Sequence, residues 1–291
     1  MAPTYDDKQG FWGEPTATLD WCEENYVVSP FLAEFWNSIS NWFLLIPPAF
    51  GAYLSLKHRL EQRYTLSFIG FCVVGLGSLC FHATLQYEMQ LLDELPMIYC
   101  TSILIFAIYQ NSYQQRRYNI NLILALISFC AMTTLVYLAF VNPVIFQFAY
   151  ATLVVILIAG SVMASRKYRD SRRLFIISFV CLGGGFLLWN IDNHFCLSLR
   201  QLRNYCPPFF RPFLQFHALW HILAGLGAYY QILFSIDVRL RYLGKGTRIK
   251  LYNQWLPFVY PSKDTSILPT VTHNATIFLL VFGLGVKLLR Y

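Results

Sequence analysis

Of the 291 residues, 56% are hydrophobic, 18% aromatic and only 13% charged, roughly half the charge of an ordinary soluble domain. That composition excludes a water-soluble domain as the simplest reading and makes lipid the solvent. The formal net charge of +7 follows membrane sidedness and is no argument for nucleic acid.

The opening MAPTYDDKQGFWGEPTATLDWCEEN is acidic and polar rather than basic then apolar, so it does not read as a signal peptide. Apolar runs long enough to cross a bilayer follow at about 32–55, 64–85, 92–110, 119–140, 144–164, 174–194 and 213–236. Short polar links join them and leave no room for a separate soluble domain. The expected fold is all-α, one seven-transmembrane helix bundle over 32–236 with an intramembrane metal site. An acidic arm, 1–31, precedes it, and a tail, 237–291, follows it.

Basic residues set the orientation. Lys57, Arg59, Arg63, Arg116, Arg117, Arg166, Lys167, Arg169, Arg172 and Arg173 fall in the odd-numbered links, and Arg239, Arg241, Lys245 and Arg248 follow the last span. The amino terminus is therefore expected in the lumen and the carboxyl terminus in the cytosol. Acids crowd the luminal half, which needs another cause because acids contribute little to orientation. Near the end, ATIFLLVFGLGVKLLRY is apolar but short for a span, leaving an interfacial, re-entrant or marginal eighth segment open. Asn274 in NAT matches a glycosylation acceptor only if that tail crosses.

Cys72, Cys80, Cys100, Cys130 and Cys181 lie inside spans and read as small hydrophobes. Cys22, Cys196 and Cys206 are expected in the lumen, where a disulfide from Cys22 to either partner would pin the arm to the bundle.

Ionisable residues inside spans point to function. In QFHALWHIL, His217 and His221 are four apart and share one helix face, which is metal-ligand spacing. A structural pair or a proton relay would use the same spacing. His82, arriving at similar depth from the second span, makes a trio, the set zinc uses in catalytic sites with a fourth position open. Ser78 lies one turn from His82 on the same face. Its hydroxyl either bonds back to its own helix or donates to a developing oxyanion. Asp93 opens DELP and either complements a helix dipole or, facing the histidines, acts as general base and then acid. Glu88 is read as a loop residue and Glu94 as pointing about 100° away from Asp93. The chemistry that fits is metal-assisted hydrolysis of an amide or ester within the bilayer; a serine hydrolase fits less well, since no G-x-S-x-G elbow surrounds Ser78.

In LDWCEENYVVSPFLAEFWN, the oxygen donors Asp20, Glu23, Glu24, Asn25 and Glu34 lie close together in the luminal arm. They read either as a soluble acidic segment or as a calcium site, though not an EF-hand. Asp192 and His194 close the sixth span and read as pocket lining, a helix cap, or partners of Arg200 or Arg203.

WGEPTATLDWCEENY, AEFWN, GSLCFHATLQYEMQLLDELPMIY and FHALWHILAG together resemble the alkaline ceramidase family, nearest its alkaline phytoceramidase type, over about residues 10–260. The resemblance implies that His82, His217 and His221 bind Zn2+, and that Asp93 and Ser78 serve catalysis. It also implies that Asp20, the Trp21 carbonyl, Glu23, Asn25 and Glu34 hold Ca2+, and that Cys22 pairs with Cys196. The implied substrate is a ceramide-type lipid in the bilayer, phytoceramide and dihydroceramide included, cut to a sphingoid base and fatty acid in endoplasmic reticulum and Golgi membranes. No obligate protein partner is implied. The serine, aspartate and three-histidine pattern is similar to that of the adiponectin receptors, so a receptor with minor hydrolase activity is the alternative.

Overall fold

The computed structural model describes residues 10–112 and 118–261; Arg116, Arg117, Asn274 and the apolar run from about 266 lie outside the described residues. Nine α-helices and one β-hairpin form the described chain: α1 Phe35–Ser40, α2 Trp42–Lys57, α3 Gln62–Thr84, α4 Tyr87–Tyr109, α5 Ile120–Phe140, α6 Pro143–Lys167, α7 Arg172–His194, α8 Cys196–Tyr205, α9 Phe216–Tyr242, then β1 Thr247–Tyr252 and β2 Leu256–Pro261. Seven helical segments are long and apolar enough to cross a membrane, the first formed by α1 and α2 together. The protein is an all-α seven-span membrane bundle. Burial separates the roles of the spans: the apolar stretch of Tyr87–Ser112 is mostly buried within the protein, whereas that of Arg169–His194 is mostly turned outward.

Two compact units partition the chain. Among the described residues, one contains 10–46, Phe71–Pro96 and Ser178–Ala228. Its helices approach closely through small residues, which is how membrane helices pack in the absence of a hydrophobic drive between them. The decisive contact is between α3 and α4. Pro96 lacks the amide that would bond Leu92 four residues earlier, so the Leu92 carbonyl is released from the helix ladder. Gly77 packs on that carbonyl so tightly that a Cβ at position 77 would lie 1.9 Å from the oxygen. Gly77→Ala is expected to lower stability by about 1–3 kcal/mol through overpacking and to reduce turnover as α3 and α4 separate. A thermal melt and an activity assay of the same purified variant check both.

Two boundaries differ from expectation in ways that matter to the site. Leu85 adopts a left-handed conformation, φ 51°, and ends α3. The arm then stitches the turn, with Thr16 and Ala17 donating their amides to the Leu85 carbonyl at 3.1 Å and the Thr16 hydroxyl accepting from the Tyr87 amide at 2.9 Å. Helix α4 thus begins at Tyr87, five residues before the apolar run suggests. Glu88 consequently lies in its first turn rather than in a loop. Asp93 lies in the second turn, inside the helix and not at its cap. The last span starts at Phe216, preceded by a 3-10 turn from Pro208 to Leu214, and runs on to Tyr242.

Among the described residues, the other unit holds Pro47–Gly70, 97–112, 118–177 and 229–261. Glu61 bridges Arg63 at 2.8 Å and Arg239 at 2.6 Å, and Asp237 receives Arg241 at 2.9 Å. The hairpin, unforeseen from composition, belongs here. Phe258 and Val259 are fully buried, and Tyr229 donates its hydroxyl to the Pro257 carbonyl at 2.8 Å.

Candidate active site

Helix α3 carries His82 in its last turn, and α9 carries His217 and His221 one turn apart near its start. The i,i+4 spacing points both α9 imidazoles the same way. One ligand atom from each of the three histidines lies within 4.8 Å of the others, and all three residues are buried. Ring centroids are 5.0 Å apart for His82 and His217, 4.9 Å for His82 and His221, and 4.7 Å for His217 and His221.

Two rings are oriented by hydrogen bonds. His82 Nδ1 bonds the Glu34 carboxylate, and its Nε2 is buried without a hydrogen-bond partner. His221 Nδ1 contacts the Ser40 hydroxyl at 2.8 Å and the Asn37 carbonyl at 3.1 Å. His217 Nδ1 is also buried without a partner; its ring is stacked face to face on Trp21, with centroids 3.9 Å apart and planes at 21°. Buried nitrogens left unbonded are costly unless something completes them. Three converging imidazoles, two of them (His82 and His217) with a buried unbonded nitrogen and two (His82 and His221) fixed from behind by a carboxylate or a carbonyl, form a donor set that fits zinc.

The Gly77 contact sets Ser78 against α4, where its hydroxyl hydrogen-bonds Asp93. The serine proton is therefore directed at the carboxylate, rather than back into α3. Ser78 is buried and Asp93 half-buried.

The arm residues are drawn around α1. Glu23 accepts from the Trp36 and Asn37 amides at 2.7 and 2.8 Å, capping that helix from a distance. Burial, with the negative charge of Glu34 adding to it, pushes the Glu23 carboxyl up to about 8. Asn25 Oδ1 is buried without a partner, while Asp20 accepts the Trp21 amide at 3.0 Å. Two buried carboxylates and an unbonded amide oxygen suit a hard cation. Among the described residues, however, the arm's carboxylates are not gathered as tightly as the histidines. Glu34 touches both groups: it accepts the Trp21 amide at 3.2 Å as well as bonding His82.

Several residues that hold the site carry no sequence motif. Cys22 and Cys196 form a disulfide with Cα atoms 5.2 Å apart, and Cys206 is a free thiol. Arg200 donates to the carbonyls of Cys22 and Glu23, both at 3.1 Å, and Arg203 donates to Gln215 and to Glu24. Asp192 accepts the Cys22 amide at 3.2 Å and the His217 amide at 3.3 Å, tying the arm to the start of α9. His194 is exposed and takes no part. The one hint in sequence is the polar run NSISN in an otherwise apolar first span, which supplies Asn37 and Ser40 behind His221.

A seven-span bundle with a buried histidine trio and a serine–aspartate pair defines a membrane-embedded hydrolase. Residues 13–264 match the model of the family described as Ceramidase, and the chain belongs to that family. Alkaline ceramidase 3 of Mus musculus is 46% identical over 257 residues, 88% of this chain and 96% of that protein. Alkaline ceramidase YPC1 of Saccharomyces cerevisiae is 32% identical over 271 residues, 86% and 85% respectively. An alkaline ceramidase of Arabidopsis thaliana is 27% identical over 256 residues, 87% and 96%.

Proposed function

We propose that this enzyme is a zinc-dependent amidase that hydrolyses ceramides, phytoceramide and dihydroceramide included, to a sphingoid base and a free fatty acid. The buried, converging trio His82, His217 and His221 carries the reading. When bound there, zinc supplies a Lewis acid that polarises the amide carbonyl and makes water acidic enough to be deprotonated near neutral pH. Asp93 takes the proton of the attacking water and passes it to the departing amine nitrogen. Ser78 holds the Asp93 carboxylate in place. Once Asp93 is protonated it donates to Ser78 instead, and the serine hydroxyl is released to donate to the oxyanion. The purified protein is expected to release fatty acid from ceramide at alkaline pH and to contain about one zinc per chain. Undiminished turnover in zinc-free protein would sink the metal reading, and a folded, zinc-loaded protein that leaves ceramide intact would sink the substrate.

Asp20, the Trp21 carbonyl, Glu23, Asn25 and Glu34 are proposed to bind calcium, which would offset the repulsion between the two buried carboxylates. The raised Glu23 carboxyl, about 8 against an ordinary 4.5, gives a pH signature. Between those values the folded protein without calcium holds a proton that the unfolded chain has lost, so its stability falls as pH rises and levels off above about 8. Calcium must displace that proton. Its apparent affinity is expected to weaken by about tenfold for each pH unit below 8, and its effect on the melting temperature to be larger at the alkaline end. Calcium titrations followed by thermal shift across this range test it; a pH-independent affinity would rule it out.

The distribution of basic residues supports a luminal amino terminus and a cytosolic carboxyl terminus, and we propose endoplasmic reticulum and Golgi membranes as the enzyme's location.

A further inference from the structure

His217 differs from its two companions in what stands behind it. His82 has the Glu34 carboxylate, and His221 has Ser40 and Asn37. Among the described residues, no hydrogen bond reaches the buried Nδ1 of His217, while its backbone amide is held by Asp192. Its ring is instead covered by the indole of Trp21. That indole is itself locked. Trp189 packs edge-on against it at 5.8 Å, and Phe186 stacks on Trp189 at 5.9 Å. The Trp21 amide donates to Glu34 and Asp20, and the next residue is tied to α8 by the disulfide.

We infer that the Trp21 side chain is the positioning residue for His217, replacing with a π face the hydrogen bond that usually orients a metal-bound imidazole. This role is separate from any use of the Trp21 backbone carbonyl, and it rests on the zinc reading above. Coordination draws electron density from an imidazole and leaves its ring more cationic. The face of an indole attracts positive charge more strongly than that of phenylalanine. The stack therefore tightens when the metal is bound, so Trp21 contributes to zinc affinity beyond filling space.

The test uses the full-length protein in detergent, with zinc affinity measured by competition against a chelator of known strength. Trp21→Leu removes the π face and is expected to weaken zinc binding by about tenfold or more. Trp21→Phe keeps a ring face, loses the indole N–H and is expected to fall between Leu and the parent. At saturating zinc both variants should bind a full complement of the metal. A merely structural role would lower the melting temperature of zinc-free protein without ranking affinity in that order. Trp21→Met, which fills the space without a ring, substitutes for Trp21→Leu if that variant does not fold. Zinc bound by the leucine or methionine variant as tightly as by the parent overturns the inference, and so does a phenylalanine variant as weak as the leucine one. A parent protein that binds no zinc fails the zinc reading itself, an outcome distinct from either.

Discussion

His221→Gln is expected to lose zinc and turnover together while the protein still folds. Glutamine is close in size and keeps polar atoms for the Ser40 hydroxyl and the Asn37 carbonyl that now meet His221 Nδ1. The backbone of α9 and the contacts of the arm need not change. What disappears is one of three converging ring nitrogens, and a two-histidine remnant cannot hold zinc as a closed trio does. The affinity loss should exceed the roughly 10–100-fold typical of removing only an outer partner. Ser40→Ala supplies that milder comparison, because it removes one of the two contacts behind His221 and leaves the ring. Metal content, turnover and melting temperature measured on one preparation of each variant separate the outcomes. Full zinc content in His221→Gln would show that the ring is not a ligand.

Much of the architecture is readable from composition because lipid imposes length and apolarity on every span. The polar residues that lipid would reject then stand out. His82, Asp93, His217 and His221 announce themselves in this way, and the i,i+4 spacing gives the α9 pair a common direction. What the pattern conceals is set by contacts between distant segments. No local rule shows that Leu85 turns left-handed and lets α4 start early, because the arm supplies the bonds that hold this turn. Glu34 stands out as an acid in the arm region, but its bond to His82 spans 48 residues. The excess of acids on the side of the amino-terminal arm has a structural cause of this kind. Glu23 caps α1, Glu34 orients His82 and Asp192 joins the arm to α9. The hairpin was hidden for another reason: β1 is largely exposed and β2 largely buried, so the segment shows no helical period and too little apolar length to register as an element.

Asp93→Asn is expected to reduce kcat by about 10²–10⁴, the usual worth of a positioned general base, with zinc content unchanged. Asparagine is nearly isosteric, and its side-chain oxygen still accepts from Ser78, so the packing of α3 on α4 at Gly77 and Leu92 is preserved. The informative comparison is with Ser78→Ala. If the serine works through Asp93, holding the carboxylate and answering its change of protonation, its loss costs activity only while a titratable carboxylate is present. The double variant should then be no slower than Asp93→Asn alone, a large departure from additivity for two groups that act as one unit. If the serine instead binds the oxyanion independently, its removal should cost a further factor of about 10²–10³ even in the asparagine background. The hydrogen bond between Ser78 and Asp93 favours the first result, since one hydroxyl proton cannot serve the carboxylate and the oxyanion at the same moment. The order of events follows from that constraint: proton transfer to Asp93 must come before Ser78 is available to the developing charge.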